Sequence, residues 1–102
     1  MRASELRARI EAGEPPAVLD VRTRWEFERG HVPGAIHIPF WTLPGRLREI
    51  DAQRERPLVV YCEMGPRAWM AGAALTLLGF RHVGYLAGHM ARWRRDGFPQ
   101  EY

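Results

Sequence analysis

Four short apolar runs, at residues 17–21, 35–38, 58–61 and 82–86, are separated by segments of helical pattern, and this alternation constrains the fold more than any other property of the chain. Strands joined through helices pair in parallel, and a parallel sheet is buried on both faces, so its strands are apolar throughout. The expectation is an α/β fold: a small parallel sheet with helices on both faces. The helical segments carry their own punctuation. Ser4 with Leu6 and Ile10 opens a helix over residues 4–12, closed by Gly13 and the Pro15-Pro16 pair. Thr23 followed three residues later by Glu26 spells a capping box and predicts a short helix over residues 23–29, stopped by Gly30. Pro33-Gly34 marks a turn, and residues 45–50 read as a helix with Leu47 and Ile50 three apart. Ala71, Ala74, Leu75 and Leu78 then follow the i, i+3, i+4, i+7 pattern ahead of a capping Gly79, and a last helix spans residues 90–95, ended by Gly97 and Pro99.

Length and composition narrow the function classes. The 102 residues leave room for one domain, 1–102, and a hydrophobic content of 46% supplies one core burying about 60 to 70% of the unfolded surface. No secretory leader is visible, no apolar run approaches the ~20 residues of a membrane span, and one cysteine excludes an intramolecular disulfide. A cytoplasmic location without a membrane partner is expected. All fifteen basic residues are arginine, and the lack of lysine removes Schiff-base chemistry and the Walker-type phosphate loop. A pI near 9.7 raises the question of nucleic acid. Arginines and acids interleave through residues 24–29 and 48–56, however, and only Arg92, Arg94 and Arg95 cluster, at a helix end whose dipole they complement. No nucleic-acid partner is expected, while the modest positive field suits a small anionic substrate. The four histidines are scattered and no second cysteine accompanies them, so no metal site is expected.

Chemistry concentrates at the single cysteine. Cys62 closes the run 58–61 and opens the loop Glu63, Met64, Gly65, Pro66, Arg67 ahead of a helix. A thiol at the C-terminal end of a parallel strand lies where open α/β sheets bind ligands, and the free N–H groups of the following helix's first turn favour thiolate over thiol. Gly65 permits the positive φ of a tight ring of donors, whereas Pro66 removes one donor from it. Arg67 is placed either to clamp a substrate oxyanion or to pair with a carboxylate. Glu63 opposes both thiolate and anionic substrate if it faces inward, and neither if it points to solvent. Asp20 and Arg22, at the end of the first strand, read as structural first, with the carboxylate accepting loop N–H groups and the guanidinium pairing with Asp20 or Glu26; Arg22 as a pocket wall is the alternative. His31 reads as satisfying backbone groups at a turn. Trp25, Trp41, Trp69 and Trp93 read as core or rim packing, with Trp41 and Trp69 the candidates for a pocket mouth. The alternative for the cysteine taken alone is a buried structural thiol.

Leu19-Asp20-Val21-Arg22 with Glu26 and Phe27, the segment Gly30-His31-Val32-Pro33-Gly34-Ala35-Ile36-His37-Ile38-Pro39, Tyr61-Cys62 with Gly65 and Arg67, Leu75 with Gly79 and Phe80, and Leu86, Gly88, Trp93, Gly97 and Pro99 occur in an order and spacing that resembles a single-domain rhodanese. The likeness is strongest over residues 17–99. It implies a sheet of four or five parallel strands and sulfur transfer through a persulfide on Cys62, with no cofactor. By the same resemblance the loop Glu63, Met64, Gly65, Pro66 and Arg67 binds substrate, and Asp20 and Arg22 are structural residues near it. The implied reactants are a small anionic sulfur donor such as thiosulfate and a thiol or cyanide acceptor, with a sulfur-carrier protein as a further partner. Three positions depart from the family pattern: Glu63 beside the nucleophile, Ala68 where a serine is frequent, and His89 where a second glycine is frequent. Two rival functions follow from the same residues. One is a relay or binding module passing sulfur between proteins. The other is a phosphatase or arsenate reductase of similar architecture, disfavoured because such enzymes place one residue more between cysteine and arginine than the four found here.

Overall fold

In the computed structural model, which describes residues 1–102, the chain runs α1 (Ala3–Glu11), β1 (Ala17–Asp20), α2 (Arg24–Glu28), β2 (Ile36–His37), two 3₁₀ segments (Phe40–Gly45 and Leu47–Gln53), β3 (Pro57–Tyr61), α3 (Pro66–Leu77), β4 (His82–Tyr85) and α4 (His89–Arg95). The strands form one sheet in the order β2-β1-β3-β4, and every neighbouring pair is parallel. Register sets Leu19 beside Ile36 and Val60, and Asp20 beside His37 and Tyr61. The C-terminal ends of the two central strands therefore lie level, with Cys62 as the first residue beyond β3.

The period-two alternation of the strands divides the core into two layers. Leu19, Val21, Leu58, Val60 and Cys62 join Ile38, Leu43, Ile50, Ala68, Ala71, Leu75 and Phe80 on the face covered by α3 and the 3₁₀ segments. Val18, Val59 and Tyr61 face the other way, into Ala3, Leu6, Val32, Leu86, Met90 and Trp93 beneath α1 and α4. Helices thus cover both faces of a parallel sheet, as the alternation of elements predicts. No helix is long and apolar enough to cross a membrane.

The capping box at the start of α2 is present in full: Thr23 Oγ1 accepts from Glu26 N–H at 3.1 Å, and Glu26 Oε1 accepts from Thr23 N–H at 3.0 Å. Two expectations need correction. The helix over residues 45–50 is replaced by the 3₁₀ segments, whose amides bond three residues back, Thr42 to Pro39, Arg46 to Leu43 and Glu49 to Arg46. Pro44 has no N–H for an α-helical bond, and a repeat of three suits the 3₁₀ geometry that buries Leu43 and Ile50. In α3 the buried stripe is Ala68, Ala71, Gly72 and Leu75, while Ala74 and Leu78 are exposed. The Tyr85 ring fixes this phase by packing where Gly72 has no side chain; a Cβ there would stand 2.2 Å from Tyr85 Oη. Of the tryptophans, read as core or rim residues, Trp93 enters the core, and Trp25, Trp41 and Trp69 lie at the surface, 65%, 57% and 55% exposed.

Candidate active site around Cys62

β3 carries Cys62 to the end of the sheet, where the residue is 1% exposed against the α3 layer. The chain then turns through Gly65, whose φ of 131° lies outside the range of ordinary L residues and whose N–H donates to Cys62 Sγ at 2.9 Å. Trp69, one turn into α3, closes over this glycine so tightly that an added Cβ would meet Trp69 Cζ2 at 2.7 Å. Pro66 is the first residue of α3, a position whose amide finds no acceptor within the helix, so the missing N–H leaves α3 intact.

The first turn of α4 grips the backbone of the nucleophile from the other side. Met90 N–H donates to the Cys62 carbonyl at 3.0 Å and Ala91 N–H to the Glu63 carbonyl at 3.1 Å. Cys62 N–H donates in turn to His89 Nδ1 at 3.3 Å, which leaves the ring proton of the neutral imidazole on Nε2. Burial pushes the His89 pKa down and so favours that neutral form. His89 holds φ at 54° and meets Trp69 edge to face at 6.2 Å between centroids. The departure from glycine at this position therefore lies against the nucleophile's own amide.

Two sets of charges flank the loop. Arg67 makes a forked pair with Glu26, Nη1 to Oε1 at 2.6 Å and Nη2 to Oε2 at 2.9 Å. This pairing, reinforced by donation from Thr23, lowers the Glu26 carboxyl to about 2 against the penalty of burial. Of the two expectations for Arg67, the structure adopts the carboxylate pair. On the other side the Glu63 carboxylate is held by two arginines. It accepts from Arg94 at 2.7 and 3.2 Å and from Arg22 Nη1 at 3.2 Å, and these partners, Arg94 foremost, lower its carboxyl. Arg22 is itself buried: Nη2 donates to Asp20 Oδ2 and to the Gly30 carbonyl, both at 2.8 Å, while Asp20 Oδ1 also accepts Arg22 N–H at 2.9 Å. Asp20, Arg22, Glu63 and Arg94 thus form a row of alternating charge from β1 across the loop to α4. An open cleft of about 480 Å³ runs beside it, lined by Arg22, Trp25, Glu26, Arg29, Glu63 and Arg94.

The structure brings Cys62, Glu63, Gly65, Arg22 and Asp20 together, directs Arg67 to Glu26, and leaves Met64 on the rim, 70% exposed. His31 lies at the expected turn, its Nδ1 2.8 Å from the Phe27 carbonyl. Sequence reasoning assigned Arg94 to a helix dipole and missed its reach to Glu63. It also placed His89 at a pocket rim and missed its bond to Cys62 N–H. A signal for the first existed in a carboxylate beside the nucleophile that needed a cation; none marked which of the fifteen arginines would supply it.

A parallel α/β domain presenting a strand-end thiol in a Gly-Pro loop defines a recognisable class, and comparison with known proteins gives it a family. The model of the rhodanese-like domain matches residues 2–96. A sulfurtransferase of Allochromatium vinosum is 33% identical over 97 residues, covering 95% of this chain and 89% of its own length. The HTH-type transcriptional regulator Rv0324 of Mycobacterium tuberculosis is 41% identical across 94% of the chain, and the putative sulfur carrier protein YrkF of Bacillus subtilis is 31% identical across 83%. The chain spans only 42% and 45% of the lengths of these last two. Among solved structures, a rhodanese-related protein from Thermoplasma volcanium superposes with a TM-score of 0.83 at 28% identity, over 99% of this chain and 95% of that one. The chain belongs to the rhodanese-like domain family.

Proposed function

We propose that the protein is a sulfurtransferase, working as one domain over residues 1–102, that carries sulfane sulfur as a persulfide on Cys62. It takes that sulfur from a small anionic donor such as thiosulfate and passes it to cyanide or a thiol. The observation that carries this reading is the thiol at the end of β3 receiving the Gly65 N–H at 2.9 Å in front of the N-terminus of α3. The likeness to a sulfurtransferase along nearly the full length of both chains supports it. Cys62 thiolate attacks the outer sulfur of thiosulfate, a new sulfur–sulfur bond forms, and sulfite leaves with the electron pair of the old one. An acceptor nucleophile then attacks the terminal sulfur of the persulfide, and Cys62 departs as thiolate. The Gly65 N–H and the oriented amides of α3 stabilise negative charge on sulfur at each stage without having to reorganise. In this reading the loop from Glu63 to Arg67 binds substrate through its backbone. Arg67 holds the loop to α2 through Glu26, and Asp20 with Arg22 braces the loop from beneath.

A relay between proteins is favoured by one further observation. Met64, Trp69 and Met70 are 70%, 55% and 54% exposed on or just after the Cys62 loop. Apolar surface beside a recessed thiol suits a protein that delivers or receives sulfur, and one relative bears the name of a putative sulfur carrier.

Intact mass before and after incubation of the reduced protein with thiosulfate tests the proposal. A gain of about 32 Da, one sulfur atom, that disappears with dithiothreitol and is absent in Cys62→Ala is expected. Gain only from a protein persulfide selects the relay; no gain from thiosulfate, mercaptopyruvate or protein persulfides overturns both readings.

A further inference from the structure

A carboxylate at the residue following an anionic nucleophile is an electrostatic obstacle to any anionic donor, and the structure answers it with a residue from another element. Glu63 retains 26% of its side-chain exposure, and Arg94 reaches it from the last turn of α4 with both terminal nitrogens. Arg22 alone does not neutralise Glu63, because it is already forked onto Asp20. Counted along the row, Asp20 and Glu63 balance Arg22 and Arg94, and Glu26 balances Arg67. Arg29, stacked on Trp25 at 4.5 Å, adds the one cation of the adjoining cleft that makes no ion pair. The charges around the Cys62 loop and the cleft beside it thus sum to neutral or slightly positive, and Arg94 is the exposed member on which that balance depends.

We infer that Arg94 is the specificity-determining residue of this site, a positioning residue that holds the Glu63 carboxylate aside and neutralised so that anionic sulfur donors reach Cys62. The inference rests on the sulfur-transfer reading for its physiological substrate, though not for its test. Iodoacetamide and iodoacetate alkylate the same sulfur and are nearly the same size, but only the second is an anion. The ratio of their rates at Cys62, followed by mass at low ionic strength, therefore isolates charge from access and from thiolate content. Arg94→Ala slows iodoacetate about five- to tenfold and leaves iodoacetamide within about twofold, as expected for unmasking one nearby charge. Glu63→Gln speeds iodoacetate, the double variant Glu63→Gln/Arg94→Ala returns the ratio to within about twofold of the parent, and Arg94→Lys preserves most of it. High salt compresses all of these differences.

With thiosulfate, a dianion, the same Arg94→Ala variant raises KM by at least that factor while kcat changes by less than about twofold. An unchanged alkylation ratio in Arg94→Ala, a deficit that Glu63→Gln fails to relieve, or a parent protein whose Cys62 resists both reagents overturns the inference. A shifted ratio in a protein that accepts no sulfur from any donor instead upholds the charge role and defeats the sulfur-transfer reading.

Discussion

One carboxylate, that of Glu26, caps α2 through Thr23 and at the same time receives the Arg67 guanidinium of α3. Glu26→Gln keeps an acceptor for the cap and loses the ion pair, so a cost of about 1 to 3 kcal/mol in denaturant unfolding is expected. The pH dependence follows from the folded value of about 2 against 4.5 for the free side chain. A depressed carboxyl contributes stability that is complete above the unfolded value and disappears as pH falls through the folded one. The parent protein should therefore lose stability as pH falls from about 5 to 2, and Glu26→Gln should lose less over the same range. His89 acts in the same direction at higher pH. Its depressed pKa makes the neutral ring the folded form, and acidification below its ordinary 6.5 favours unfolding.

The helix that follows the nucleophile shows how an element is positioned by what it packs against. Both the stripe expected from sequence and the stripe observed satisfy a period of 3.6, because α3 is rich in small and apolar residues along its length. The choice is made by Tyr85 against Gly72 and by Trp69 against Gly65. Leu75→Ala should cost about 2 to 5 kcal/mol, since the residue is fully buried in the α3 layer. Leu78→Ala, at a position 44% exposed, should cost less than about 0.5 kcal/mol, whereas comparable losses would restore the expected stripe. Chemical denaturation of the two variants decides between them.

Across the whole molecule the site depends on a buried ion pair that joins separate parts of the chain. Arg22 and Asp20 are 1% and 0% exposed, and Arg22 also holds the Gly30 carbonyl and Glu63, so the end of β1, the turn after α2 and the Cys62 loop share one hub. Asp20→Ala leaves a buried guanidinium with its main partner gone and should cost about 3 to 5 kcal/mol. Replacing both members with apolar residues, Asp20→Leu with Arg22→Met, should recover a large part of that loss in stability by the same denaturation assay. The variant should not recover sulfur loading if the hub positions the loop.

Much of this architecture is legible without coordinates, and the division has a physical basis. The Thr23–Glu26 box, the glycine turn after Cys62 and the strand alternation arise from forces acting within a few residues, so the order of side chains specifies them, and with them the parallel sheet and the place of the thiol. The Arg94–Glu63, Arg22–Glu63 and Arg67–Glu26 pairs span 31, 41 and 41 residues. A formal charge in a sequence has no address, and with fifteen arginines and twelve acids many pairings are chemically equivalent until the folded backbone brings two of them within reach. The phase of α3 and the bond from Cys62 N–H to His89 belong to the same class. Each was decided by close approach between segments distant in the chain, where packing and desolvation, rather than local propensity, select one arrangement.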